Sequence, residues 1–340
     1  MVKAVEKANL RLRKGETLGI VGETGSGKSV TALTIMALTP LPGKVEGGQV
    51  YFKDSQGKIV DILKLREEQL LKIRGKEISM IFQEPNAALD PLYKVGDQIA
   101  EAIITHRREE MLERARELEA EESRGVWGFL KKIPYFRKRF TEKLLKKASR
   151  KEILELLRLM EIPDPERVID AYPHELSGGM QQRIVIAIAL ACSPVVLLAD
   201  EPTTSLDVTV QAQILDLIRR LKEKFKASII YITHDMGVIA ELSDRVAVMY
   251  AGNVVEVAPT KEIFKNPLHP YTRALLESIP RPGSSFKSIP GTVPNLVNPP
   301  SGCRFHPRCS YTMDKCRDKV PKLVEISRDH YVACFLHGGA

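Results

Sequence analysis

The stretch Gly22-Glu23-Thr24-Gly25-Ser26-Gly27-Lys28-Ser29 constrains this chain more than any other part of it. It lies between the apolar run Thr17 to Val21, read as a strand, and Ser29 to Leu38, read as a helix. A glycine-rich turn between strand and helix, ending in Lys-Ser, predicts a phosphate-binding loop in an α/β fold. Glycines at 22, 25 and 27 let backbone N–H groups approach the β- and γ-phosphates, aided by the positive end of the following helix. Lys28 adds a point charge and Ser29 a magnesium ligand, while the backbone of Glu23, Thr24 and Ser26 completes the cradle. ATP with Mg2+ is the expected ligand. A turn that merely reverses the chain would not need a Lys-Ser pair opening a helix.

A phosphate loop establishes binding, so the reaction must come from elsewhere. Val195 to Ala199 and Ser228 to Thr233 are apolar or β-branched runs, the pattern of strands buried on both faces of a parallel sheet. The amphipathic stretch Thr209 to Phe225 joins them, implying a right-handed parallel crossover. Asp200-Glu201 closes the first run, where ligands dock on such sheets. Asp200 is placed on magnesium, and Glu201 is read as the general base that polarises water. His234, ending the second run, is placed to sense or hold the γ-phosphate. Gln83, just after the strand Glu77 to Phe82, is a candidate for magnesium or the attacking water. Gly48 to Phe52 and Lys58 to Leu63 read as further strands, and Val246 to Tyr250 with Asn253 to Ala258 as a closing hairpin. From Val95 to Leu190 apolar positions recur at helical spacing.

Size and charge narrow the setting. At 340 residues and 44% hydrophobic, the chain can bury a sizeable core and is expected to form one large domain with an appendage. Its longest uninterrupted apolar run, Ile184 to Cys192, is far short of the ~20 residues that span a bilayer as a helix. The N-terminus lacks the apolar segment of a secretory signal, so an intracellular protein is expected. The formal charge of +8 suits nucleotide phosphates, an anionic membrane surface or nucleic acid, and does not choose among them.

Leu176-Ser177-Gly178-Gly179-Met180-Gln181-Gln182-Arg183 closely resembles the signature sequence of ABC ATPases. Ser177 would cap a helix whose free N–H groups, with Gly178 and Gly179, form an anion site. The resemblance implies that this site completes the ATP site of a second subunit. The other motifs fall in the family's order: phosphate loop 22–29, Gln83, signature 176–180, Walker B 195–201, the D-loop Ser205-Leu206-Asp207, and His234. Phe82-Gln83-Glu84-Pro85, Asn266-Pro267-Leu268-His269-Pro270-Tyr271-Thr272 and Gly302-Cys303-Arg304-Phe305-His306-Pro307-Arg308-Cys309 resemble the subgroup that energises dipeptide and oligopeptide importers.

By resemblance, the fold class is α/β: a P-loop RecA-like ABC ATPase core, a helical subdomain and a cysteine-containing C-terminal extension. Residues 1–83 and 194–258 would form the core, 84–193 the signature subdomain, and 259–340 the extension. The expected function is transport-coupled ATP hydrolysis at the cytoplasmic face of a membrane, peripherally attached. The implied partners are a second, similar ATPase subunit, two membrane permeases and an extracytoplasmic binding protein, with no nucleic acid. A soluble ABC ATPase acting on nucleic acid is the alternative, and a small-molecule kinase a third reading that would not need the signature. Two departures stand out. Met180 replaces a commoner glutamine without touching the phosphate-facing serine and glycines. Only 21 residues precede Gly22, none of them Tyr, Phe or Trp, so adenine stacking is expected to be weakened by about 1 kcal/mol.

Cys303, Cys309, Cys316 and Cys334 are separated by five, six and seventeen residues, which is neither a paired zinc ribbon nor a secreted disulfide frame. Four thiolates suit an iron–sulfur cluster, with zinc, free thiols and disulfides as alternatives. The resemblance to peptide-importer ATPases implies a [4Fe-4S] cluster of structural role. Cys192 is read as a small core residue inside an apolar helix. The segment from Pro280 to Pro300 holds six prolines and is expected to be an extended or flexible connection. Arg107 to Arg150 reads as a charged insertion in the helical subdomain, basic around Trp127, Phe129, Tyr135 and Phe136. It is either a solvated helical hairpin or a face resting on lipid headgroups or a permease loop.

Overall fold

The computed structural model describes the backbone of residues 2–122, 134–204, 206–280 and 288–338, and their side chains apart from 86, 118–122 and 134–143. It divides into two compact units: Met1–Leu65 with Val196–Glu201 and Ile218–Ala340, and Arg66–Val195 with Pro202–Leu217.

In chain order the strands are β1 (Thr17–Val21), β2 (Tyr51–Lys53), β3 (Ile59–Asp61), β4 (Ile78–Ile81), β5 (Val196–Asp200), β6 (Ser228–Thr233), β7 (Arg245–Tyr250), β8 (Asn253–Pro259), β9 (Val324–Ser327) and β10 (His330–Val332). In the first unit β5, β6, β1 and β7 run parallel, and β7, β8, β10 and β9 continue the sheet antiparallel. Every residue of β1, β6 and β7 is buried, and beyond the opening Ser228 and Arg245 their largely apolar or β-branched composition reflects a sheet covered on both faces. Each buried Leu, Ile or Val contributes roughly 1.5–3 kcal/mol of transfer free energy, and the parallel backbone ladders carry the register. Register places the strand ends together: Val21 pairs with Thr233 and Asp200 with Ile232. The residues that follow, the glycine loop, Glu201 and His234, therefore emerge at one edge.

Residues 259–340 fall within this same unit. Glu256 of β8 is fully buried, and the backbone N–H groups of Leu268 and His269 donate to it at 2.8 and 2.9 Å. The ring of His330, on β10, lies 2.8 Å away. Burial pushes this carboxyl up, and the hydrogen bonds outweigh it, holding it below its usual range. One ionised side chain thus ties the C-terminal hairpin and the start of helix Pro270–Glu277 to the sheet.

In the second unit the described elements between Val95 and Leu190 are helical, led by Val95–His106, Arg108–Glu122, Pro134–Leu159 and Gly178–Leu190. Ile99, Ile103, Leu145, Leu157, Ile184 and Ile186 are buried there. The charged insertion forms the helix Arg108–Glu122 and much of Pro134–Leu159. Arg107 ties them by ion pairs to Glu110 and Glu152. Trp127 and Phe129 lie outside the described residues, as do the side chains of Tyr135 and Phe136. Cys192 lies just past the end of the apolar helix rather than inside it, its thiol 3.6 Å from the Ala102 carbonyl. No described helix is long and apolar enough to cross a membrane.

Candidate nucleotide site and cysteine cavity

The glycine loop is shaped by steric necessity at two positions. A Cβ on Gly22 would lie 2.1 Å from the Met249 carbonyl oxygen, so no side chain fits. Gly27 caps the helix Lys28–Ile35 at φ 97°, where an added Cβ would also meet the Ala4 carbonyl at 2.5 Å. The loop that results curls over the helix start. Lys28, 5% exposed, donates to the carbonyls of Gly22 at 2.8 Å and Glu23 at 3.1 Å. Burial pushes the lysine's pKa down, with Glu201, Asp200 and Glu23 opposing it. The Ser26 hydroxyl, within the glycine loop, is buried with no hydrogen-bond partner among the described residues.

Opposite Lys28 stand two carboxylates. The Ser29 hydroxyl donates to Asp200 at 3.0 Å. Burial raises the Asp200 pKa, and the Ser29 hydrogen bond only partly offsets it. A buried carboxylate beside a hydroxyl, with its charge under-compensated, fits a hard cation with oxygen ligands. Glu201 leaves β5 with φ 45°, its N–H donating to the Ile232 carbonyl at 2.9 Å, so its backbone is fixed against β6. His234 follows β6, and its Nδ1 lies 3.3 Å from Glu201 Oε1. Thus Lys28, Ser29, Asp200, Glu201 and His234 share one edge of the first unit. Gln83 belongs to the second unit, exposed after β4.

The signature segment also lies in the second unit. Ser177 caps helix Gly178–Leu190 and accepts from the Met180 N–H at 3.4 Å. Ser177 and Gly178 are exposed, and nothing approaches within 4 Å of a Cβ built on Gly178. Behind this open tip the helix is anchored. Gln181 donates to the Pro173 carbonyl at 2.8 Å, and the buried Arg183 donates to the Met160 carbonyl at 2.6 Å and reaches Glu161 and Gln213. The helix start is therefore anchored from behind while Ser177 and Gly178 stay exposed. Asp207 caps the next helix through the N–H groups of Thr209 and Val210. Ser205 lies outside the described residues.

The four C-terminal cysteines line one small cavity with Phe305 and Phe335. All five cysteines are unpaired. Burial pushes the Cys303 thiol up to about 11 and raises Cys309 and Cys334 too, while backbone hydrogen bonds from Phe305, Tyr311 and Leu336 favour their thiolates. A nearby cation would favour their thiolates. Among the described residues no group of three or more His, Cys, Asp or Glu is arranged to hold a metal ion.

The sequence assigned no role to Arg304 and Arg308, which lie between Cys303 and Cys309. Arg308, its side chain 4% exposed, reaches the phosphate loop and pairs with both oxygens of Glu23. The segment Gly302 to Cys309 was visible as a motif, yet nothing in its spacing points to a partner 285 residues away.

Lysine, hydroxyl, paired carboxylates and histidine on one edge of a parallel sheet, behind a glycine loop, define a P-loop nucleotide-hydrolysing enzyme. The chain belongs to the ABC transporter family, whose model matches residues 5–204. A second model, the oligopeptide/dipeptide transporter C-terminal region, matches residues 255–316. The chain is 46% identical over 340 residues to the oligopeptide transport ATP-binding protein OppD of Bacillus subtilis (strain 168), covering 98% of this chain and 84% of that one. It is 44% identical over 339 residues to the dipeptide transport ATP-binding protein DppD of the same organism, covering 98% and 89%. Among solved structures it resembles the dimeric post-hydrolysis state of the ATP-binding cassette MJ0796 bound to ADP and Pi. There the TM-score is 0.54 at 28% identity, over 76% of this chain and 90% of that one. The expected α/β ABC cassette fold and ATPase activity stand, and the nucleic-acid alternative finds no support.

Proposed function

We propose that this chain is the ATP-hydrolysing subunit of an importer of dipeptides or oligopeptides, acting as one half of a pair that sandwiches ATP. The observation that carries the reading is the cluster of Lys28, Asp200, Glu201 and His234 around the glycine loop. Lys28 and the loop N–H groups hold the β- and γ-phosphates, and Lys28 exchanges its bonds to the Gly22 and Glu23 carbonyls for phosphate oxygens. Ser29 and Asp200 would hold Mg2+, which when bound neutralises phosphate charge. Glu201 accepts the proton of the attacking water, and His234, within reach of Glu201, holds the γ-phosphate in line.

The exposed Ser177–Gly178 tip is the complementary anion site, offered to nucleotide on a second, similar subunit. A related cassette is dimeric with ADP and Pi bound, which supports this reading. Permeases and an extracytoplasmic binding protein complete the transporter, and the subunit sits peripherally at the cytoplasmic membrane face. The relatives' names as peptide transport ATP-binding proteins favour peptides as cargo.

The cysteine cavity is proposed to hold a [4Fe-4S] cluster, with Cys303, Cys309, Cys316 and Cys334 as ligands. Four cysteine thiols lining one cavity supply the ligand number and type that such a cluster takes. Backbone N–H groups directed at three of the sulfurs are the kind of bond that tunes such clusters. ATP hydrolysis by the chain assembled with its counterpart and permeases, stimulated by peptide-loaded binding protein, tests the transport assignment. Stimulation by a different solute class and not by peptides would refute peptide import.

A further inference from the structure

The cysteine-bearing segment does more than line its cavity. Arg308, one residue before Cys309, forms a two-pronged ion pair with Glu23: Nη1 to Oε2 at 2.8 Å and Nη2 to Oε1 at 3.1 Å. Glu23 is the second residue of the phosphate loop. Its own N–H donates to the Tyr271 hydroxyl at 2.9 Å, so side chain and backbone are both held from the C-terminal side. Arg308 is itself fixed. Its Nε donates to the Pro290 carbonyl at 2.7 Å, Nη1 reaches the Tyr250 hydroxyl at 3.3 Å, and the guanidinium lies 5.7 Å from the Tyr250 ring centre. Burial opposes its charge, and the bonds to Glu23 and Tyr250 outweigh that effect, so it stays a cation.

The same segment grips the loop a second way. Arg304 donates to the Ala251 carbonyl and pairs with Glu6, while the Gly252 N–H donates to the Ser26 carbonyl at 2.9 Å. Between the two arginines Phe305 packs edge-on against Tyr250 and tilted against Tyr271, at 5.1 and 5.3 Å between ring centres. All these residues belong to the first unit.

We infer that Arg308 is a positioning residue for nucleotide binding: it fixes Glu23 and cancels the negative charge that this side chain would otherwise present beside the phosphates. The inference rests on the reading of residues 22–29 as the ATP phosphate loop. It makes the cysteine segment part of what sets nucleotide affinity. A bidentate guanidinium suits the task because its planar fork matches a carboxylate in both charge and direction.

The test is equilibrium binding of MgATP to the full-length chain, with thermal melting to confirm folding. Arg308→Ala is expected to raise the Kd about tenfold, the scale of one charge-assisted contact, and Arg308→Lys to raise it less. The discriminating variant is the double change Glu23→Gln with Arg308→Ala. Removing the unneutralised carboxylate is expected to recover most of the affinity lost in Arg308→Ala. A role confined to holding Pro290 and Tyr250 predicts no such recovery. Unchanged affinity in Arg308→Ala, or no recovery in the double variant, overturns the inference. Lys28→Ala is measured alongside: if it abolishes binding while Arg308→Ala leaves the Kd unchanged, only the inference fails. If Lys28→Ala binds MgATP normally, the phosphate-loop reading fails and the inference with it.

Discussion

His234 Nδ1 lies 3.3 Å from Glu201 Oε1, across the adjoining ends of β6 and β5. The glutamate backbone is pinned by its bond to Ile232, while the imidazole side chain is 60% exposed. One partner is rigid and the other free to turn towards a phosphate. His234→Ala is therefore expected to lower kcat by roughly 10²- to 10³-fold, with a much smaller change in KM for ATP. Steady-state ATPase kinetics of the assembled complex check this, and an equal loss confined to KM would assign the histidine to ground-state binding.

Asp200 links stability to pH with a definite sign. Its pKa is raised in the folded chain, chiefly by burial, so folding without nucleotide or metal disfavours its ionised form. The resulting destabilisation is absent below the ordinary carboxylate range, grows as pH rises towards the folded pKa, and is constant above it. Asp200→Asn is expected to raise the melting temperature of the metal-free protein at pH 7 by roughly 2–4 °C while abolishing hydrolysis. The gain should disappear as pH falls below the ordinary range. Melting curves across pH, run in chelator, measure it.

Gly27 has a backbone that other residues enter only under strain. At φ 97°, with the Ala4 carbonyl 2.5 Å from an added Cβ, Gly27→Ala must displace the loop from the N-terminal segment. A loss of roughly 1–3 kcal/mol of stability is expected, together with loss of MgATP binding. Denaturant unfolding and nucleotide titration give the two quantities separately.

The cysteine cavity gives an analytical prediction. Protein purified without oxygen is expected to be brown and to carry about four iron and four sulfide per chain. Cys316→Ser should lose both. Colourless, iron-free protein that binds zinc stoichiometrically would remove the cluster and leave the cavity to a different metal.

Much of the core was readable in the sequence because its signals are local. The reading of β1 as Thr17 to Val21 and of β6 as Ser228 to Thr233 matches the observed strands, since a strand covered on both faces is an unbroken apolar or β-branched run. Lys28, Asp200, Glu201 and His234 could be placed on one edge because parallel register fixes where strand ends fall. The C-terminal hairpin was not seen. β9, Val-Glu-Ile-Ser, is mostly exposed, and β10 has three residues, so neither shows a run or an alternation long enough to read. What holds that region together is the buried Glu256 with His330, a contact between residues 74 apart. The grip of Arg308 on Glu23 was hidden for the same reason. Such pairs are made by the folded topology, and no periodicity announces them.

The account turns on whether two copies of this architecture close around ATP, with Glu201 activating water in between. Glu201→Gln keeps the shape of the side chain and removes its basicity. The most direct measurement is the molecular mass, by light scattering with MgATP, of the Glu201→Gln chain paired with its cognate counterpart subunit. A stable ATP-dependent dimer with no measurable hydrolysis is the expected result. Robust turnover by the variant, or particles that stay monomeric at saturating MgATP, would contradict it.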